Sequence, residues 1–122
     1  MQYINHWPED MAELTLPEAV SHDLHRQLTL PFESEQEAKD FWGEAPSSII
    51  ILESTDTIDA LRISDTWNSI EFALTYPEYD IPLSNGYQML VAVTTDSGGG
   101  IYLVVPPELS HITKSHEEIS HE

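Results

Sequence analysis

Ser48-Ile49-Ile50-Ile51-Leu52-Glu53 decides the fold. The run is β-branched, flanked by turn formers, too short for a stable helix and too continuously apolar for a strand with one wet face. It reads as a strand buried on both faces, in the middle of a sheet. Two more β-rich segments, Tyr87–Thr94 and Ile101–Val105, are separated by Thr95-Asp96-Ser97-Gly98-Gly99-Gly100, which is hairpin punctuation. Pro106 and Pro107 close this region. The sheet is therefore expected at about 48–53, 87–94 and 101–105, small and mainly antiparallel.

Helical periodicity surrounds these strands. Pro17 stands where a first helical position is expected, and Val20, Leu24 and Leu28 recur every fourth residue until Pro31 forbids continuation. Ser34-Glu35-Gln36-Glu37 has the capping-box form, and Ala38, Phe41, Trp42 and Ala45 follow on one face, so a second helix is expected over 34–43, stopped by Gly43 and Pro46. Asp65 makes a cap for a third helix through Trp67, Ile70, Ala73 and Leu74, ending before Pro77. Thr55–Ile63 fits neither period, and Tyr76–Asn85, with its prolines and tyrosines, reads as a loop. Near the start, Tyr3, Ile4 and Trp7 are apolar enough to dock on a core, and Pro8 followed by Glu9 and Asp10 opens a short helix. The order α, α, β, α, β, β gives an α+β domain with two or three helices packed on one face of the sheet. It covers residues 1–109, followed by a polar His- and Glu-containing tail, 110–122.

Composition narrows the chemistry. The 122 residues are enough for one core, and the absence of cysteine excludes disulfides, zinc-thiolate sites, iron-sulfur clusters and a cysteine nucleophile. No apolar run has the length of a membrane span or a secretion signal, so a cytoplasmic protein is expected. Twenty-two Asp and Glu face only Arg26, Lys39, Arg62 and Lys114, a formal net charge of −18. A field of that sign repels phosphates and anionic lipid and attracts basic protein surfaces or cations, so direct nucleic-acid or membrane binding is not expected. The plainer reading is that the acidity only keeps the protein soluble.

Glu33, Glu37, Asp40 and Glu44 favour a more specific reading, because spacings of four, three and four place them on one helical stripe. Its centre lies roughly 120° from that of the apolar stripe, so burying the aromatics leaves the carboxylates facing solvent together. Like charges at these spacings cost an isolated helix about 0.2–0.5 kcal/mol a pair, which mixing signs would avoid. The charge of −18 equals the phosphate charge of about nine base pairs of DNA. The stripe's carboxylates rise about 5 Å apart along the axis, looser than the ~3.4 Å axial spacing of phosphates on one strand, so any mimicry is electrostatic. Small proteins that block restriction or CRISPR machinery by imitating DNA share this charge and size, a likeness that includes no common motif.

Other constellations are weaker. Glu18, His22 and His25 share a helical face and have metal-ligand character, but lack the His-Glu-x-x-His arrangement of zinc proteases. His111, His116 and His121, five residues apart, do not converge on either a helix or a strand. The Ser97–Gly100 loop leads into a strand rather than a helix N-terminus, and no serine sits in a nucleophile elbow. Tyr79, in its Pro-flanked loop, is a candidate interface anchor. These residues imply a non-catalytic acidic inhibitor that needs no metal or cofactor and binds the basic nucleic-acid-binding surface of a partner protein through Glu33, Glu37, Asp40, Glu44 and Tyr79. An immunity or antitoxin protein blocking a basic nuclease, or a cation-binding or salt-adapted domain, are the alternatives.

Overall fold

Three successive isoleucines cannot all point one way from a strand, and the layers of the molecule follow from that. The computed structural model describes residues 1–45, 47–93 and 99–112. Strand β2 (Ser48–Ile51) is buried at every position. Ile49 and Ile51 join one core cluster, while Ile50 and Leu52 join the other. Each side of the sheet therefore has to be covered. Helices α1 (Glu18–Thr29) and α2 (Glu35–Glu44) bury Val20, Leu24, Leu28, Ala38 and Trp42 on the Ile49 side. Helices α3 (Ile58–Arg62) and α4 (Trp67–Thr75) bury Leu61, Ile70, Ala73 and Leu74 on the Ile50 side. The α+β class holds, but helices confined to one face do not, because the run that predicts a doubly buried strand demands two covering layers.

Among the described residues the sheet has five strands in the order β1-β2-β5-β4-β3, with β1 at Gln2–Ile4, β3 at Tyr79–Pro82, β4 at Gln88–Val93 and β5 at Gly100–Val105. Three pairings are antiparallel and β2 with β5 is parallel, which makes the sheet mixed. The expected hairpin is present, β4 pairing β5 from Gln88↔Val105 to Val93↔Gly100. β5 takes the central place and β2 lies next to it, one strand in from the β1 edge.

Both edge strands depart from the sequence reading. The Tyr76–Asn85 stretch is not wholly a loop: Tyr79–Pro82 pairs with Val91–Gln88, and Pro82 is tolerated at the end of an edge strand. At the other edge β1 buries Ile4 but leaves Tyr3 about half exposed, and Met11–Glu13 forms a single 3-10 turn in place of the helix expected from Pro8. Between β3 and β4, Asn85 and Gly86 take positive φ angles of 60° and 79°, a tight reversal that Gly86 enters without strain.

The helix termini are more faithful. Pro17 is the N-cap of α1, one place before its expected position. The amide of Glu37 donates to Ser34 Oγ at 3.1 Å, the serine arm of the expected capping box, while the Glu37 carboxylate reaches one residue further back and accepts from the Glu33 amide at 3.1 Å. Gly43 does not stop α2, which runs on to Glu44. Thr57 caps α3, whereas Asp65 makes no cap for α4, whose N-cap is Thr66. Ile112 is buried with Leu109 against the α4 side of the sheet, while 113–122, with His116 and His121, lie outside the described residues. Among the described residues no helix is long and apolar enough to cross a membrane.

Candidate functional site

The α2 stripe forms because the aromatic side of that helix is held down firmly. Trp42, 7 % exposed, meets Trp7 edge-on at 5.7 Å between ring centroids and stacks on Tyr102 at 5.7 Å with 16° between planes. Ala38 is fully buried below them. With this face fixed, Glu37, Asp40 and Glu44 are exposed on the outer side of α2, while Glu33, expected on the same helical stripe, precedes the extended N-cap Ser34 and is exposed just ahead of the helix. None of the four has a basic partner within ion-pair reach among the described residues. Nearby cations are engaged elsewhere: Lys39 pairs with Glu9, a hydrogen bond that holds its ammonium above the ordinary lysine range, and Arg26 pairs with Asp23 at 2.9 Å. Glu37 accepts from the Glu33 amide, and Asp40 accepts from Gln36 Nε2 at 2.9 Å.

The histidine constellation on α1 comes apart. His25 turns toward Glu35 of α2, its Nε2 3.2 Å from the carboxylate, and its ring lies 6.0 Å from that of Trp7. His22 stays exposed, 4.0 Å from Glu18. Among the described residues no three His, Asp or Glu side chains are gathered to hold a metal ion. Ser97 and Gly98 lie outside the described residues.

Tyr79 is 62 % exposed on β3 and stands at the lip of a groove of about 390 Å³. The groove's floor is the stretch of sheet at the margin of the α1 and α2 layer: Ile81, Val93 and Tyr102, with the buried Met89 and Val91 beneath them. Its helical wall is Leu30 and Phe32 after α1, with Phe41 of α2. Phe32 and Phe41 pack at 5.2 Å between centroids. Gly100 leaves one end without a side chain, since a Cβ there would lie 2.7 Å from the Ala92 carbonyl oxygen. Burial raises the Tyr102 hydroxyl above the ordinary tyrosine range, so this floor stays neutral.

The groove and stripe adjoin. Phe32 precedes Glu33 directly, and Phe41 lies one turn from both Glu37 and Glu44, about 40° and 60° around the helix. The structure thus brings Tyr79 and the stripe to one region, which the sequence had named only separately. Leu30, Phe32, Val93 and Tyr102 were not foreseen. The available signal was the alternation Tyr79-Asp80-Ile81, a period of two that marks an edge strand and puts both apolar side chains on one face. Comparisons with protein-family models, curated proteins and solved structures find no match.

Proposed function

We propose that the protein is a non-catalytic inhibitor that binds the basic, nucleic-acid-binding surface of a partner protein, with Glu33, Glu37, Asp40 and Glu44 as first contacts. The observation that carries this reading is the exposed row of Glu37, Asp40 and Glu44 on α2, with Glu33 just before it, which has no ion-pair partner among the described residues in a chain of net charge −18. Four carboxylates without an ion-pair partner among the described residues, while Lys39 and Arg26 pair with Glu9 and Asp23, create a local negative field. Such a field speeds encounter with a cationic groove and selects it over neutral or acidic surfaces. Tyr79, beside this field, supplies an amphipathic anchor of the kind that protein interfaces favour.

The test compares two charge-matched variants. One carries Glu33→Lys, Glu37→Gln, Asp40→Lys and Glu44→Lys; glutamine keeps a side-chain acceptor for the Glu33 amide. The other carries Asp59→Lys, Asp65→Asn, Glu71→Lys and Glu108→Lys, all exposed positions away from α2. Immobilised wild type should retain from a cell lysate a basic nucleic-acid-binding protein that elutes at moderate salt and loses its nucleic acid to the free inhibitor. The stripe variant should fail to retain or inhibit that protein, and the control should do both. Equal loss in both variants would reduce the effect to total charge, and no loss in either would refute the reading.

A further inference from the structure

Beyond attraction by charge, we propose that the groove beside α2 receives a short segment of the partner that carries a large apolar side chain flanked by lysine or arginine. This rests on the reading above and specifies what it recognises. Leu30 is 68 % exposed and Val93 42 %, so with Tyr79 they line an open apolar surface about a floor formed by Met89 and Tyr102. Leu30, Tyr79 and Val93 thus gather exposed apolar groups around one recess, and a volume of about 390 Å³ suits one or two large side chains. An apolar centre beside a charged rim is also the anatomy of interfaces in which a few buried anchors carry most of the affinity.

Charge chooses the occupant. A second copy of this chain would bring −18 against −18. The chain's own 113–122 sequence has three glutamates and one lysine, and it departs from Ile112, packed on the opposite side of the sheet. Anionic lipid and nucleic acid are repelled by the same stripe. A cationic peptide is the ligand for which stripe and groove act together, with lysines over Glu33, Glu37 and Glu44 while the apolar residue enters between Phe41 and Tyr79.

Fluorescein-labelled peptides provide the probes: a lysine-rich peptide with Leu and Phe at its centre, the same lysines around Ala, and the same Leu and Phe among glutamates. Polarisation titrations at low salt use the full chain, the stripe variant, and a groove variant with Leu30→Gln and Tyr79→Ser. The groove positions are largely exposed, and circular dichroism checks that the variant is folded. The Leu/Phe lysine peptide should bind wild type about tenfold tighter than the Ala peptide, as one good anchor implies. The groove variant should lose that advantage without changing the Ala peptide, and the glutamate peptide should not bind. Equal binding of the two lysine peptides to wild type, an advantage that survives in the groove variant, or binding of the glutamate peptide as tightly as its lysine counterpart would each overturn the groove assignment. Unchanged binding of both lysine peptides to the stripe variant would instead overturn the electrostatic reading on which it rests.

Discussion

Asp23 shows how one carboxylate ties separate elements together. The Ser84 hydroxyl and the Ser84 amide, at 2.7 Å, both donate to it, and these bonds, aided by Arg26, hold its carboxyl below the ordinary aspartate range. The contact fastens α1 to the turn between β3 and β4, and so fixes β3, which carries Tyr79, relative to the helical wall of the groove. A carboxyl whose pKa is depressed in the folded state contributes stability above its unfolded value and loses it as pH falls through the folded value. The stability difference between wild type and Asp23→Asn should therefore be constant at neutral pH and shrink once pH drops below about 4, the reference value for aspartate. Urea titrations across that range measure it, and a difference independent of pH would contradict the pairing. Trp42 makes a separate demand. It sits between Trp7 and Tyr102, and Trp42→Ala should cost about 3–5 kcal/mol in chemical denaturation. A neutral outcome would mean that α2 does not bury its aromatic face.

At the scale of elements, α2 owes its position to packing and its start to Ser34. Ser34→Ala removes the acceptor for the Glu37 amide and should cost about 1 kcal/mol, whereas Ser34→Asp should recover most of it. Equal stability for the Ser34→Ala variant and wild type would place the start of the helix elsewhere. The caps, periodic apolar positions and hairpin were legible because each depends on neighbours in sequence: Val20, Leu24 and Leu28 on one helix face, Ser34 with Glu37, and Val93 opposite Gly100. The edge strands were not. β1 has three residues and β3 carries Pro82, so their pairing depends on partners far along the chain more than on local propensity. The second helical layer was implied by the doubly buried Ile49–Ile51 run, yet α3 has only five residues and gives little periodic signal. Three of the four stripe carboxylates could be read because they lie on one helix, whereas Glu33 falls before its cap; the groove joins Leu30, Phe41, Tyr79 and Val93 from four segments, and only the tertiary arrangement assembles it.

For the whole molecule, one field has two opposite consequences. The excess of 22 acids over four bases leaves carboxylates repelling one another in the folded state more than in the expanded chain. Among the described residues few ion pairs oppose this, and those of Lys39 and Arg26 are exposed enough to contribute little each. Raising the ionic strength from about 0.01 M to 0.15 M shortens the screening length from about 30 Å to about 8 Å, which relieves many long repulsions while weakening few attractions. Stability should rise with sodium chloride over this range, and a gain of about 1 kcal/mol would appear as roughly 4 °C in the melting temperature. Binding of a lysine-rich peptide should move the other way, because the attraction that draws it to α2 is screened by the same ions. The apolar contribution of the groove is not Coulombic and should remain, so the advantage of the Leu/Phe peptide over its Ala counterpart should be nearly constant while both affinities fall. Thermal melts and polarisation titrations over one salt series test these slopes together. A melting temperature indifferent to salt would show that the fold has already neutralised its own charge. If the two peptides lost affinity at different rates, groove and stripe would not be the separable apolar and electrostatic parts that their geometry indicates.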